Sequence, residues 1–164
     1  MEKPNWPGEP VGRVIEYIVE EVERQGHNTH DLDGIQRVAW MTNAWAYAMK
    51  RSTHEDPQLR VQDAIKLGRL VESEKNRHGV RRHNVRVGKE ICPPWENVPF
   101  LLDDVFKIRD EVTPLNFYRQ FCIVHPFADG NGRTGKILLN WLNGSLSEPV
   151  FPPNDFWGES IRNP

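Results

Sequence analysis

The stretch His125-Pro126-Phe127-Ala128-Asp129-Gly130-Asn131-Gly132-Arg133-Thr134-Gly135-Lys136 decides how the rest of the chain is read. Two glycines flank Asn131 where a helical pattern begins. Glycine lets the backbone turn its N–H groups toward one point and lets an anion come close. The start of a helix adds unpaired N–H groups and a partial positive charge. Arg133 and Lys136, three residues apart, fall on one face of the first turns. The segment Gly130 to Lys136 thus has the makings of a phosphate cradle. Asp129 places one hard oxygen ligand beside it, suited to a Mg²⁺ that also takes phosphate oxygens and water. His125 titrates near neutrality and is the candidate general base.

Working outward, the flanking sequence is helical. Pro114 suits the first turn of a helix through Phe117, Phe121 and Val124, which Pro126 prevents from continuing. From about Asn131 to Asn143 a longer helix follows. Upstream, Val98-Pro99 opens a helix through Leu101, Leu102, Val105 and Ile108. Residues 79 to 95 differ: Val85 and Val87 alternate with Asn84 and Arg86, Gly88 is a turn residue, and Pro93-Pro94 is a stop. This predicts a small β-hairpin among helices. Three amphipathic helices precede it: Val11 to Val22, then Ile35 to Met49 capped by Thr29 or Asp31, then Leu59 to Val71. The fold class expected is mainly α, a helical bundle with a small β-hairpin flap.

Composition narrows the function. The chain has 164 residues, 38% of them hydrophobic, with 21 Lys and Arg against 23 Asp and Glu. Its mean hydropathy is −0.64. That suits one soluble domain and argues against a broad nucleic-acid binder, which carries a basic excess. No run approaches the roughly 20 apolar residues that span a bilayer, and the start lacks a signal-peptide pattern. Cys92 and Cys122 lie in no metal or redox spacing and read as reduced thiols of a cytoplasmic protein.

The string from Gly130 to Lys136 also matches G-x-x-x-x-G-K, the P-loop pattern. Ile137 stands where that motif needs Ser or Thr for Mg²⁺, and the alternating strands and helices of a parallel sheet are missing. A different resemblance fits better. His125, Phe127, Asp129, Gly130, Asn131, Gly132 and Arg133 match in order the H-P-F-x-[D/E]-G-N-G-R signature of the Fic/Doc family. The stretch from Gly79 to Pro99 is similar to the flap segment that precedes the motif in that family. The resemblance covers about residues 58 to 152. It implies a Fic core at 58–152, with 1–57 as an N-terminal helical extension packed on it and 153–164 as a tail.

The resemblance further implies a protein adenylyltransferase that moves AMP from ATP, with Mg²⁺, to a Ser, Thr or Tyr hydroxyl of a target protein. On that pattern His125 takes the hydroxyl proton and Asp129 holds the metal. Gly130, Asn131 and Gly132 bind phosphate oxygens, and Arg133 neutralises the leaving phosphates. Phe127 anchors the loop. The flap, with Val85, Arg86, Val87, Gly88 and Ile91, docks an extended target segment by strand addition. Transfer of UMP, phosphocholine or phosphate, or nucleotide binding without turnover, are the alternatives. The compartment implied is the cytoplasm, of the producing cell or of one into which the protein is delivered.

Two departures from the family pattern stand out. Lys136 replaces a second arginine; it keeps the charge but loses the bidentate fork on an outer phosphate. The inhibitory string [S/T]-x-x-x-E-[G/N], whose Glu pairs with that arginine, is missing. The chain is therefore expected to carry no inhibitory helix, and to be competent as it stands or held by a separate inhibitory partner protein. Neither membrane nor nucleic acid is expected as a partner. Elsewhere the plain readings hold the field. His27, His30, His54, His78 and His83 read as surface residues. Trp40, Trp45 and Trp141 read as core, and Trp95 and Trp157 flank loops, with the lining of a pocket as the lesser of two readings. Arg77, Arg81, Arg82 and Arg86 could meet an acidic target or a nucleotide, and the plainer reading is a solvated face.

Overall fold

The computed structural model describes residues 12–157. The start of the first helix expected from Val11 lies partly outside the described residues. Six α-helices and one short hairpin follow in order: α1 (Arg13–Arg24), α2 (Leu32–Ser52), α3 (Val61–Val71), β1 (Arg86–Val87), β2 (Glu90–Ile91), α4 (Val98–Lys107), α5 (Pro114–Val124) and α6 (Asn131–Leu142). The fold is mainly α, and the hairpin is the one sheet among the described residues.

Local chemistry sets the helix boundaries. Asp31 caps α2, its carboxylate accepting the Gly34 N–H at 2.8 Å. In α3, Asp63 reaches back to accept the Arg60 N–H at 2.9 Å. Thr113 caps α5 by accepting the Asn116 N–H, and Pro114 fills the first helical position, where no N–H is needed. The strands pair antiparallel with Arg86 opposite Ile91 and Val87 opposite Glu90. Gly88 turns the hairpin at φ +58°, a conformation that costs glycine little.

The layout is a bundle around α6. Every residue of α6 from Asn131 to Trp141 is buried. α2, α3 and α5 pack against it, α1 packs on α2 and reaches α6 through Tyr17 and Glu21, and α4 lies beside α5. α1 buries Val14, Tyr17, Ile18, Glu21 and Val22, a stripe at i, i+3, i+4, i+7 and i+8. Only Glu21 in that stripe is charged. α1 and α2 share one hydrophobic cluster with the later helices, joined through Trp45, Leu67, Phe117, Phe121 and Ile137. Trp45 is fully buried and its indole N–H donates to the Leu146 carbonyl at 2.9 Å. Trp141 is also buried, whereas Trp40 is half-buried.

Candidate active site

α5 ends at Val124 and α6 begins at Asn131, so the loop His125–Gly130 joins two helices that pack directly on each other. His125 terminates α5 in the left-handed conformation, φ 51° and ψ 62°. Among the described residues it is the one non-glycine with positive φ. That conformation costs of order 1 kcal/mol for a residue with a Cβ. The surroundings hold it: the His125 N–H donates to the Phe121 carbonyl, and its own carbonyl accepts from the Arg81 guanidinium at 2.7 Å. The imidazole is half-buried at the mouth of the loop.

Two side chains lock the loop. Phe127 is fully buried, its ring over Gly68 of α3 and near Phe121. A Cβ on Gly68 would stand 2.4 Å from that ring, so the close approach requires glycine. Asn131 clasps Phe127 with its amide: Oδ1 accepts the Phe127 N–H at 2.8 Å and Nδ2 donates to the Phe127 carbonyl at 2.9 Å. The amide of Asn131 thus serves the loop, which leaves backbone N–H groups as what this residue and Gly132 can offer a phosphate. The first hydrogen bond within α6 runs from the Thr134 N–H to the Gly130 carbonyl. The N–H groups of Asn131, Gly132 and Arg133 precede it and have no partner within the helix. Gly130 has φ +75°, and a Cβ there would meet Val71 at 2.8 Å.

Asp129 is one-third exposed beside this helix start. Its Oδ2 accepts from the Lys75 ammonium at 2.6 Å and its Oδ1 from the Gly130 N–H at 2.8 Å. Partial burial pushes its carboxyl up. The Lys75 and Gly130 hydrogen bonds and the Arg133 charge outweigh that and hold it below the usual carboxylate value. Among the described residues no group of three or more His, Cys, Asp or Glu converges as a metal site. A lone carboxylate fits a Mg²⁺ that arrives with phosphates and water as its other ligands.

The two cations of α6 lie deep. Arg133 is fully buried, its Nη2 2.9 Å from Glu72 Oε1 and 3.6 Å from Asp129 Oδ1. Arg37 of α2 donates to the same Glu72 oxygen at 2.8 Å, so one carboxylate at the end of α3 serves two guanidiniums. Lys136 is 3% exposed and meets Glu21 of α1 at 2.8 Å, with the Tyr118 hydroxyl at 3.3 Å. A helix carboxylate thus pairs with the cation at position 136. α1 supplies one without the inhibitory string, because Glu21 lies on its buried stripe. A cavity of about 240 Å³ opens beside Lys136, lined also by Arg24, Gln25, Tyr118 and Trp157. Trp157 thus takes the pocket-lining reading, the lesser of the two, because the chain after α6 folds back over α5, where Arg119 lies against Phe156 and Trp157.

The flap residues stand on the other side of the loop. Arg86, Gly88 and Ile91 are exposed, and Val85 and Val87 half-buried. Ile91 is 69% exposed, high for a large apolar residue. Arg81, expected on a solvated face, is 3% exposed instead. Its guanidinium donates to the carbonyls of His125, His83 at 3.0 Å, Pro93 at 2.6 Å and Val124, and its N–H to the Pro126 carbonyl at 2.8 Å. One side chain thereby ties both ends of the hairpin to the backbone of the candidate base. Nothing in the sequence separates Arg81 from its neighbour Arg82; the distinction is tertiary.

This arrangement defines a helical protein in which a histidine, a carboxylate and the N-terminus of a buried helix share one short loop. Residues 58–143 match the sequence model of the Fic/DOC family. The match takes in more than half of the chain, and the chain belongs to that family. A relative from Aquifex aeolicus (strain VF5), named as a probable protein adenylyltransferase, is 29% identical over 148 residues, 81% of this chain and 46% of that protein. Fic-1 (residues 134–508) from C. elegans superposes with a TM-score of 0.62 at 19% identity, over 84% of this chain and 48% of that one. A Fic family protein from Desulfovibrio desulfuricans G20 gives 0.61 at 19% identity, over 86% and 50%. Both structures share the fold. The chain spans about half the length of these proteins.

Proposed function

We propose that the chain is a protein adenylyltransferase, moving AMP from ATP to a hydroxyl of a target protein. The observation that carries this reading is the placement of His125 and Asp129 on one loop at the N-terminus of α6. The similarity to the Aquifex aeolicus protein supports the choice of AMP.

In this reading His125 accepts the proton of a Ser, Thr or Tyr hydroxyl. The acceptor oxygen bonds to the α-phosphorus, the bond to the bridging oxygen of the β-phosphate breaks, and pyrophosphate leaves. The N–H groups of Asn131, Gly132 and Arg133 face phosphate oxygens, where preorganised donors stabilise developing charge. Asp129 would hold Mg²⁺, which lowers the charge on the phosphates; Lys75 would release the carboxylate to it. Arg133 and Lys136 would supply positive field from within the helix. Glu21 and an outer phosphate would be rivals for the Lys136 ammonium. Strand addition at the hairpin would present the target.

The test uses ATP labelled at the α- or the γ-phosphate with a cell lysate, beside His125→Ala. α-Label on protein, reduced at least about 100-fold in the variant, is the expected result. γ-Label alone would mean phosphate transfer, α-label from UTP in preference to ATP would mean UMP transfer, and ATP binding without label a module without turnover.

A further inference from the structure

The charge of this chain is segregated. Residues 75 to 89 hold six of its 21 lysines and arginines and none of its 23 acidic residues. That segment carries +6, and the rest of the chain −8. Of the six, Arg81 is buried; Lys75, Arg77, Arg82, Arg86 and Lys89 are exposed. The segment borders the site at two places. Lys75 binds Asp129 at 2.6 Å, and Arg81 ties His83 and Pro93 to the His125 carbonyl. It ends in the hairpin, where Arg86 and Lys89 stand on either side of Gly88. Glu72 and Asp129 beside it are both engaged with cations, Asp33 of α2 pairs with Arg37 and lies within electrostatic reach of Lys75, and Glu74 and Glu90 stand at its two edges.

We propose that this basic edge selects an acidic polypeptide segment, so that the hydroxyl offered to His125 is flanked by Asp or Glu. The inference rests on the transferase reading for the hydroxyl, but its binding half stands alone. Backbone pairing along a strand gives affinity with little choice of sequence; the side chains beside it give selectivity. Cations at Arg82, Arg86 and Lys89 favour an acceptor of opposite charge and repel a basic one, in encounter rate as well as affinity. A short acidic strand matches the patch better than a polynucleotide does. The segment contains no Phe, Tyr or Trp on which a base could stack, and the −8 carried by the rest of the chain repels a polyanion longer than the patch.

The test measures binding and transfer separately on the full chain. Fluorescent 12-residue peptides with one central Tyr carry Glu, Lys or Ser at the flanks, and a 12-nucleotide oligothymidylate is the fourth probe. Anisotropy at low and at 0.5 M salt gives affinity, and α-labelled ATP gives transfer. The Glu peptide is expected to bind about tenfold tighter than the Ser peptide at low salt, losing this advantage at high salt. The variant Arg82→Glu/Arg86→Glu/Lys89→Glu, all surface positions, should reverse the order in favour of the Lys peptide, with an unchanged thermal melt as the check of folding. Equal binding of the Glu and Ser peptides overturns the proposal, as does tighter binding of the oligothymidylate. Selective binding of the Glu peptide without label on it, by the wild type and by His125→Ala alike, keeps the docking surface and sinks the transferase reading. Label without peptide selectivity does the reverse.

Discussion

At the scale of single residues, Arg81 and Asp129 carry the most specific consequences. Arg81 directs one planar guanidinium at four carbonyls, two of them at the end of α5 where a cation meets the helix dipole. Removing it leaves those carbonyls without their donor in a half-buried setting. Arg81→Ala should lower stability by about 3 kcal/mol in urea unfolding. Arg81→Lys should recover little, because an ammonium cannot span the same set. Asp129 gives a pH dependence. Its folded carboxyl titrates below the ordinary 3.8, so its contribution is fully present above that value and is lost as pH falls through the folded value. Wild-type stability should therefore drop more steeply below roughly pH 4 than that of Asp129→Asn. Parallel curves would show that Lys75 and Gly130 do not hold the carboxylate in solution. The order of His125, Phe127, Asp129 and Asn131 along the chain was legible in the sequence. The occupation of the Asn131 amide by Phe127, and of Lys136 by Glu21, was not, because both depend on which surface each side chain meets.

At the scale of elements, α1 is the unexpected contributor. Its apolar spacing was readable from Val14 to Val22, but the burial of Glu21 among those residues was not, because its partner lies 115 residues away in sequence on α6. Burying a charge is tolerated only with a partner. Glu21→Ala should cost about 3 to 5 kcal/mol, by leaving the Lys136 ammonium uncompensated. The double variant Glu21→Met/Lys136→Met should return most of that stability, which denaturant titration of all three proteins would reveal. Glu21→Gln keeps the shape and removes the charge. If the site takes a triphosphate, this variant should bind ATP more tightly than the wild type in a nucleotide titration. The hairpin is the element least visible in advance: Gly88 and the alternation of Val85 and Val87 point to it, yet only two residues per strand pair, and Arg81 supplies its anchorage.

For the whole molecule, the family match begins at residue 58, whereas the core begins with α1. Ile18, Met41, Ala44 and Trp45 are fully buried in the same cluster as Leu67, Phe121 and Ile137. A chain starting at residue 58 would expose the face of α3 and α6 that α2 covers. It should show no cooperative thermal transition, whereas the full chain should unfold in one step. A sharp transition in the shortened chain would mean that the first two helices are an addition to a self-sufficient core.

By itself the sequence determined the helical class, the proline at the start of α5, the hairpin turn and the loop that brings His125 and Asp129 to the start of α6. Each of these is written in residues within a few positions of one another, through spacing and glycine or proline geometry. The tertiary structure alone decided which charges are paired. Arg133 and Arg37 on Glu72, Lys136 on Glu21, and Arg81 on the backbone of His125 are contacts between distant segments. Burial makes those pairings matter, since an unpaired charge there costs several kcal/mol while the same residue on the surface costs almost nothing. Arg81 and Arg82, adjacent and alike in sequence, end as a buried brace and an exposed cation for that reason.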